Sequence, residues 1–242
     1  MWRRIRSGAH FWPLLLAVAA LTGCETESLV SKSQEVEIGR QAAKDIEARH
    51  PVSKDAELNA TVNDIGQYIA ARSDRTDIQY TFKVLDIKDV NAVSLPGGWV
   101  YVYKGLMDEV GSDKDMLAGV IAHEVGHVTA RHHAELMGRS TLYGIGIAVL
   151  TKGNTRQWVN FFANLNLLRW SRKHEYEADA LGIKYTYSST YNPDGLIRFL
   201  EVLQTKSKSE PSRFEAALRT HPVTSERIDR AKDDLAVLKA GR

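Results

Sequence analysis

The sequence predicts an α+β domain: a mostly helical body with a small, largely antiparallel sheet beside one buried helix. Three observations predict it. Apolar residues recur at three- and four-residue spacing over most of the chain beyond residue 33. Two stretches alternate instead, Ile78 to Ile87 and the pair 91–95 and 99–103 that flanks Pro96-Gly97-Gly98. Between Asp113 and about Met137 a helical pattern carries the run His123-Glu124-Val125-Gly126-His127 among Met116, Leu117, Val120, Ile121 and Val128, which reads as buried. The 242 residues are 43% hydrophobic and 26% charged, enough for one domain with a real core. No repeat or low-complexity tract interrupts them.

Residues 1–23 read as a targeting segment. Arg3, Arg4 and Arg6 precede an apolar run from Phe11 to Leu21 that is too short to span a bilayer. The run ends in Leu21-Thr22-Gly23-Cys24, which resembles the bacterial lipobox, in which the cysteine becomes a lipidated first residue. Cys24 is the chain's one cysteine, so no internal disulfide is possible, and lipidation accounts for it. An uncleaved or generic signal peptide with an incidental cysteine is the other option. Acyl chains contribute about 0.8 kcal/mol per buried CH₂, so several would anchor the chain durably. Glu25 is not the aspartate of the inner-membrane retention signal, which favours the outer membrane. Residues 24–33 form a short polar tether and the domain is expected over 34–242. The formal charge of +2 falls to −1 once the three leader arginines are set aside, and no basic patch argues for nucleic acid.

The elements follow in order. Ser33 to about His50 and Asp55 to about Ser73 read as amphipathic helices separated by Pro51. Ile78 to Ile87 reads as a strand with Ile78, Tyr80, Phe82 and Val84 on one face, and 91–103 as a hairpin. After the helix of 113–137 come two apolar stretches, 141–150 and 158–168, read as core helices or as a lid. Ser171 to Gly182 reads as a further helix, Asn192-Pro193 opens another through about Thr205, and 224–239 closes the domain.

The chemistry sits at 123–127. Histidines four apart share a helix face, so both imidazoles reach one zinc ion at about 2.0–2.1 Å. Glu124 is placed to hold the water in the open metal position. Gly119 and Gly126 each cost a helix about 1 kcal/mol against alanine, which close approach of another backbone or a substrate would offset. A third ligand is needed, and Glu175 is the best candidate, with His174 the alternative. Asp179, four residues on, shares its face and is suited to accept the free ring N–H of a ligating histidine. Ala178 and Gly182 are small enough to let this helix press against the first.

Four segments carry a family resemblance: His123 to His127; Glu175-Tyr176-Glu177-Ala178-Asp179 after Ser171-Arg172; Asn91 to Gly98; and His221-Pro222 followed by Arg227. In this order they resemble the membrane-associated zinc metallopeptidases that include the CAAX prenyl protease, the HtpX-like heat-shock proteases and the periplasmic BepA/LoiP-type proteases, with the lipoprotein LoiP-like members nearest. Val93 and Ser94 stand where relatives often have Phe and Ala. The resemblance implies a zincin-type fold, one Zn²⁺ on His123, His127 and Glu175, Glu124 as general base and Asp179 behind the ligands. It implies one of two roles for His221, oxyanion donor or inhibitory fourth zinc ligand, and a pairing of Arg227 with Glu175 or Asp179. It also implies substrate binding as an added strand, for which Gly98, Trp99, Val100 and Tyr101 are the expected sheet edge. The function expected is a lipid-anchored zinc endopeptidase of the bacterial envelope that cleaves misfolded or stalled outer-membrane proteins and has possible contact with the outer-membrane assembly machinery. The rival expectation is a non-catalytic assembly factor with structural zinc.

Overall fold

The computed structural model describes residues 30–140, 155–165 and 167–241. The leader, Cys24 and the apolar stretch 141–150 lie outside them. Helix α1 (Lys32–Arg49) starts on a capping box: the Ser31 hydroxyl accepts from the Gln34 backbone at 3.2 Å, and the Gln34 side chain accepts from the Ser31 backbone at 2.9 Å. Val30 is already buried, with 1% exposure, and its carbonyl accepts from Arg131 at 2.7 Å. The folded body therefore takes in residues 30–33, which the sequence assigned to the tether. Helix α2 (Ala56–Ala70) is capped by Asp55, as the sequence suggests.

Strands β1 (Thr81–Leu85), β2 (Ala92–Ser94) and β3 (Trp99–Tyr103) form a sheet in the order β1-β3-β2. β2 and β3 are the expected hairpin, closed by Gly97 and Gly98 at φ 75° and 106°, which side chains disfavour. β1 pairs in parallel with β3, Thr81 opposite Trp99 and Leu85 opposite Tyr103, so the sheet is mixed. Alternation identifies a strand but carries no information on the direction of its neighbour. This order also corrects the expected edge. Trp99, Val100 and Tyr101 belong to the central strand, whose main chain is paired on both sides, and Gly98 to the turn before it; the outer strands are β1, whose far side already pairs with Val52 and Ser53, and β2. Phe82, Val84, Val100 and Val102 pack with α2 and the helix of the H-E-x-x-H run in the main core, while Leu85, Val93, Tyr101 and Tyr103 join a second core with α1 and α6 (Thr155–Ala163). Tyr101 donates its hydroxyl to Glu47 at 2.7 Å, a structural contact.

Helix α3 (Lys104–Val110) leads into α4 (Lys114–Thr129), capped by Asp113 and carrying the H-E-x-x-H run. Every residue from Leu117 to Val128 is buried, which explains why its pattern is not one-sided. α4 stops well short of Met137. Arg131 adopts a left-handed φ of 56°, and α5 (His132–Ser140) sets off anew. Trp158, Val159 and Phe162 of α6, with Leu165 and Leu168 beyond it, fill the second core, as the core-helix reading expects. Helices α7 (Arg172–Tyr187), α8 (Asp194–Ser209), α9 (Pro211–Thr220) and α10 (Ser225–Ala240) complete the described residues. No described helix is long and apolar enough to cross a membrane.

Candidate metal centre

The two glycines singled out in α4 mark its helix contacts. A Cβ built on Gly126 would stand 2.8 Å from the Ala178 carbonyl oxygen, and one on Gly182 of α7 would stand 2.9 Å from the backbone nitrogen of His123. At Gly119 the same methyl would meet the backbone of Leu196 in α8. α4 and α7 therefore pack main chain against main chain, which offsets the helix cost of glycine. The close approach carries Glu175 to the histidines.

His123, His127, Glu175 and His221 each present one ligating atom, all within 4.8 Å of one another and all buried. Nε2 of His127 lies 3.1 Å from Nε2 of His123 and 3.3 Å from Oε1 of Glu175. Nδ1 of His221 lies 3.3 Å from His123 Nε2 and 3.0 Å from Glu175 Oε1. The other His221 nitrogen, Nε2, is 3.3 Å from Glu124 Oε1. His221 thus lies between the ligand cluster and the carboxylate of Glu124. The fourth ligating group comes from the cap that ends α9, far from the others in sequence.

Behind the ligands stands a second layer. His123 Nδ1 is 2.8 Å from Asp179 Oδ1. Arg227, 2% exposed, grips Asp179 through Nε at 2.6 Å and Nη2 at 2.8 Å and pairs with Glu175 through Nη1. Both partners expected for Arg227 are thus engaged. Burial would raise the Glu175 carboxyl, but Arg227, His221 and His127 together hold it well below the usual carboxylate range. Burial and Arg227 compete in the same way at Asp179, and Arg227 prevails. Burial pushes the His127 ring well below its ordinary value despite Glu175, leaving it neutral with a lone pair to offer. At His221 burial is outweighed by the Glu175 and Glu124 carboxylates, and its pKa rises.

The donor set fits a divalent cation. With neutral histidines, buried Glu124, Glu175 and Asp179 face the single buried guanidinium of Arg227. Two positive charges would balance the site. Beside Glu124 and His221 lies an apolar recess lined by Val120, Leu196, Phe199, Leu203 and Ala217, together with Ala92 of β2. Its cavity volume is ≈ 30 Å³.

The structure also engages residues to which the sequence assigned no role. His132 Nδ1 is 2.9 Å from Nδ1 of His127, and Trp170 stacks on the His127 ring with centroids 4.6 Å apart. Burial pushes His132 down to about 3 and His133 to about 4, so both are neutral. His133 Nε2 bonds the Ser94 carbonyl of β2 at 2.9 Å. The one signal for them was their place a helical turn beyond His127. His174, the alternative third ligand, stacks on His132 and faces Glu135, outside the cluster.

A buried helix that offers two imidazoles with a carboxylate beside them, met by a carboxylate from a second helix, has the arrangement of a metallopeptidase site. Comparison with known proteins agrees. The model of Peptidase family M48 matches residues 56–234, and the chain belongs to that family. The Beta-barrel assembly-enhancing protease of Escherichia coli (strain K12) is 25% identical over 232 residues, covering 87% of this chain and 46% of the relative. Metalloprotease YcaL of the same organism is 26% identical over 260 residues, covering 92% and 97%. The Mitochondrial metalloendopeptidase OMA1 of Arabidopsis thaliana is 38% identical over 125 residues, covering 51% and 26%. The chain spans about half the length of the assembly-enhancing proteases it matches.

Proposed function

We propose that the protein is a zinc-dependent endopeptidase of the bacterial envelope, lipid-anchored through Cys24 at the outer membrane and acting on misfolded or stalled envelope proteins. The observation that carries the catalytic part is the ligand geometry. A zinc tetrahedron with bonds of about 2.0–2.1 Å has edges near 3.3 Å, and the contacts linking His123 Nε2, His127 Nε2, Glu175 Oε1 and His221 Nδ1 run from 3.0 to 3.3 Å within a cluster no wider than 4.8 Å. His123, His127 and Glu175 would hold the ion. A bound zinc ion polarises the peptide carbonyl and makes water a nucleophile at neutral pH. Glu124 takes the water's proton on its carboxylate and delivers it to the leaving amide nitrogen. Asp179 keeps the proton of His123 on Nδ1, and Arg227 holds Asp179 and Glu175 in place. The substrate strand adds along the outer side of β2 at Ala92, which replaces β3 in this role, because Ala92 lines the recess beside Glu124, whereas the Ser94 carbonyl is already taken by His133.

The position of His221 favours the inhibitory reading of this residue. Its Nδ1 occupies the fourth corner of the ligand cluster and its ring stands between that cluster and Glu124. A His221 that supplied a fourth ligand there would exclude water and the substrate carbonyl and hold the enzyme at rest. The lipobox-like Leu21-Thr22-Gly23-Cys24 and the name of the assembly-enhancing relatives support the envelope and its proteins as the setting.

The test is proteolysis of an unfolded β-barrel protein with zinc, with chelator, and with Glu124→Gln. Glu124→Gln should keep zinc and fold and lose cleavage, and removal of zinc by chelator should abolish cleavage as well. Cleavage that survives Glu124→Gln in a clean preparation refutes the mechanism. A Glu124→Gln protein that still restores envelope integrity in a deletion strain would turn the assignment to an assembly factor.

A further inference from the structure

The two ligating histidines have unlike partners. His123 faces a carboxylate, Asp179. His127 faces another imidazole: its Nδ1 is 2.9 Å from Nδ1 of His132, both rings fully enclosed. Two ring nitrogens at that distance share one proton. When His127 presents its Nε2 lone pair to a metal, its own proton is on Nδ1, so His127 donates and His132 accepts. The His132 proton must then be on Nε2, the atom that faces Glu177 Oε2 at 3.5 Å.

The placement of His132 is built, not incidental. It is the first residue of α5, next to Arg131 in its left-handed conformation. Arg131 is fastened to Glu35 at 3.1 Å and to the Val30 carbonyl at 2.7 Å. The His132 ring is stacked on His174, with centroids 4.3 Å apart and planes 26° apart, and the opposite face of the His127 environment is closed by Trp170. The break between α4 and α5 is what turns His132 back onto His127; a continuous helix would place residues 127 and 132 five apart, off a shared face.

Building on the zinc reading above, we infer that His132 is a positioning residue: it selects the Nε2-ligating tautomer of His127 and aims that ring at the metal. It touches neither substrate nor reacting atoms. Groups behind a ligating histidine typically change metal affinity by about 10–100-fold when removed.

The test is zinc affinity, by competition with a chromogenic chelator, of the full folded domain and its variants. In His132→Asn the amide oxygen takes the place of Nδ1 and keeps an acceptor for His127; zinc affinity should stay within about threefold of the parent. His132→Gln puts its amide at the place of Nε2, and His132→Phe keeps the stacked ring without an acceptor; both should lose about 10–100-fold. Thermal melts of the chelated proteins separate folding from affinity. A purely structural His132 would not distinguish Asn from Gln, so equal affinity of these two overturns the inference. So does a His132→Phe protein that binds zinc like the parent. His127→Ala separates this from the zinc reading itself: if it retains full zinc affinity, His127 is no ligand and both fall; if it loses zinc while His132→Phe does not, the inference alone fails.

Discussion

Arg227→Met removes the one buried positive charge that faces two buried carboxylates and keeps most of the side chain's length. In the folded protein Arg227 holds Asp179 by two bonds, at 2.6 and 2.8 Å, and Glu175 by a third contact, with all three residues at most 2% exposed. Without the guanidinium, Asp179 and Glu175 are left as buried like charges. Breaking one buried pair costs about 3–5 kcal/mol, and here two acids lose one partner, which places the loss in the upper part of that range. For a domain of this size about 1 kcal/mol corresponds to roughly 2–4 °C in Tm. The chelated variant should melt about 10–20 °C below the chelated parent. A zinc ion next to Glu175 replaces part of the lost charge, so zinc should raise the Tm of the variant more than that of the parent. The assay is thermal unfolding followed by circular dichroism, with excess chelator and with one equivalent of zinc. A chelated Arg227→Met protein that melts within about 2 °C of the parent would refute the charge argument, as would a smaller zinc gain in the variant.

The other predictions rest on separate features. His221→Ala should raise the rate of peptide cleavage without loss of zinc, since the ring stands between the ligand cluster and Glu124; abolished cleavage would assign His221 to the oxyanion instead. Glu35 is fully buried, and although burial would raise its carboxyl, Arg75 and Arg131 hold it below its ordinary carboxylate range. A depressed carboxylate contributes stability above its unfolded pKa that is lost as pH falls through the folded one. The parent should therefore weaken steadily on acidification below about pH 5. Glu35→Gln should be less stable at neutral pH by about 3–5 kcal/mol and flatter towards acid, and parallel pH curves would contradict this. Gly126→Ala adds a methyl 2.8 Å from the Ala178 carbonyl oxygen. Overpacking of about 1–3 kcal/mol should outweigh the helix gain of about 1 kcal/mol, and urea unfolding that shows net stabilisation would sink the claim.

The convergence of His123, His127 and Glu175 was legible in the sequence because helix geometry converts spacing into contact. Positions 123 and 127 share a face, 175 and 179 share another, and the structure joins those faces. The small residues at 126, 178 and 182 announced the helix contact that does so. What failed depends on information that periodicity lacks. The pattern of α4 continues smoothly to Met137, and nothing in it encodes the turn at Arg131, which is stabilised by Glu35 and Val30 a hundred residues away in the chain. His132 was passed over for the same reason, since without that turn it faces elsewhere. Strand β3 was read as an edge because its hairpin partner is adjacent in sequence, whereas its parallel partner β1 arrives through a crossover that leaves no local mark.

The contact between α4 and α7 has one more consequence. Because carbonyl and amide atoms set the distance between these helices, the positions of the ligands do not depend on which side chains line the neighbouring recess. Leu196, Phe199 and Leu203 come from α8. Substitutions among those three would reshape the recess while the two backbones keep the spacing between His123 and Asp179, so wall and frame are free to vary apart.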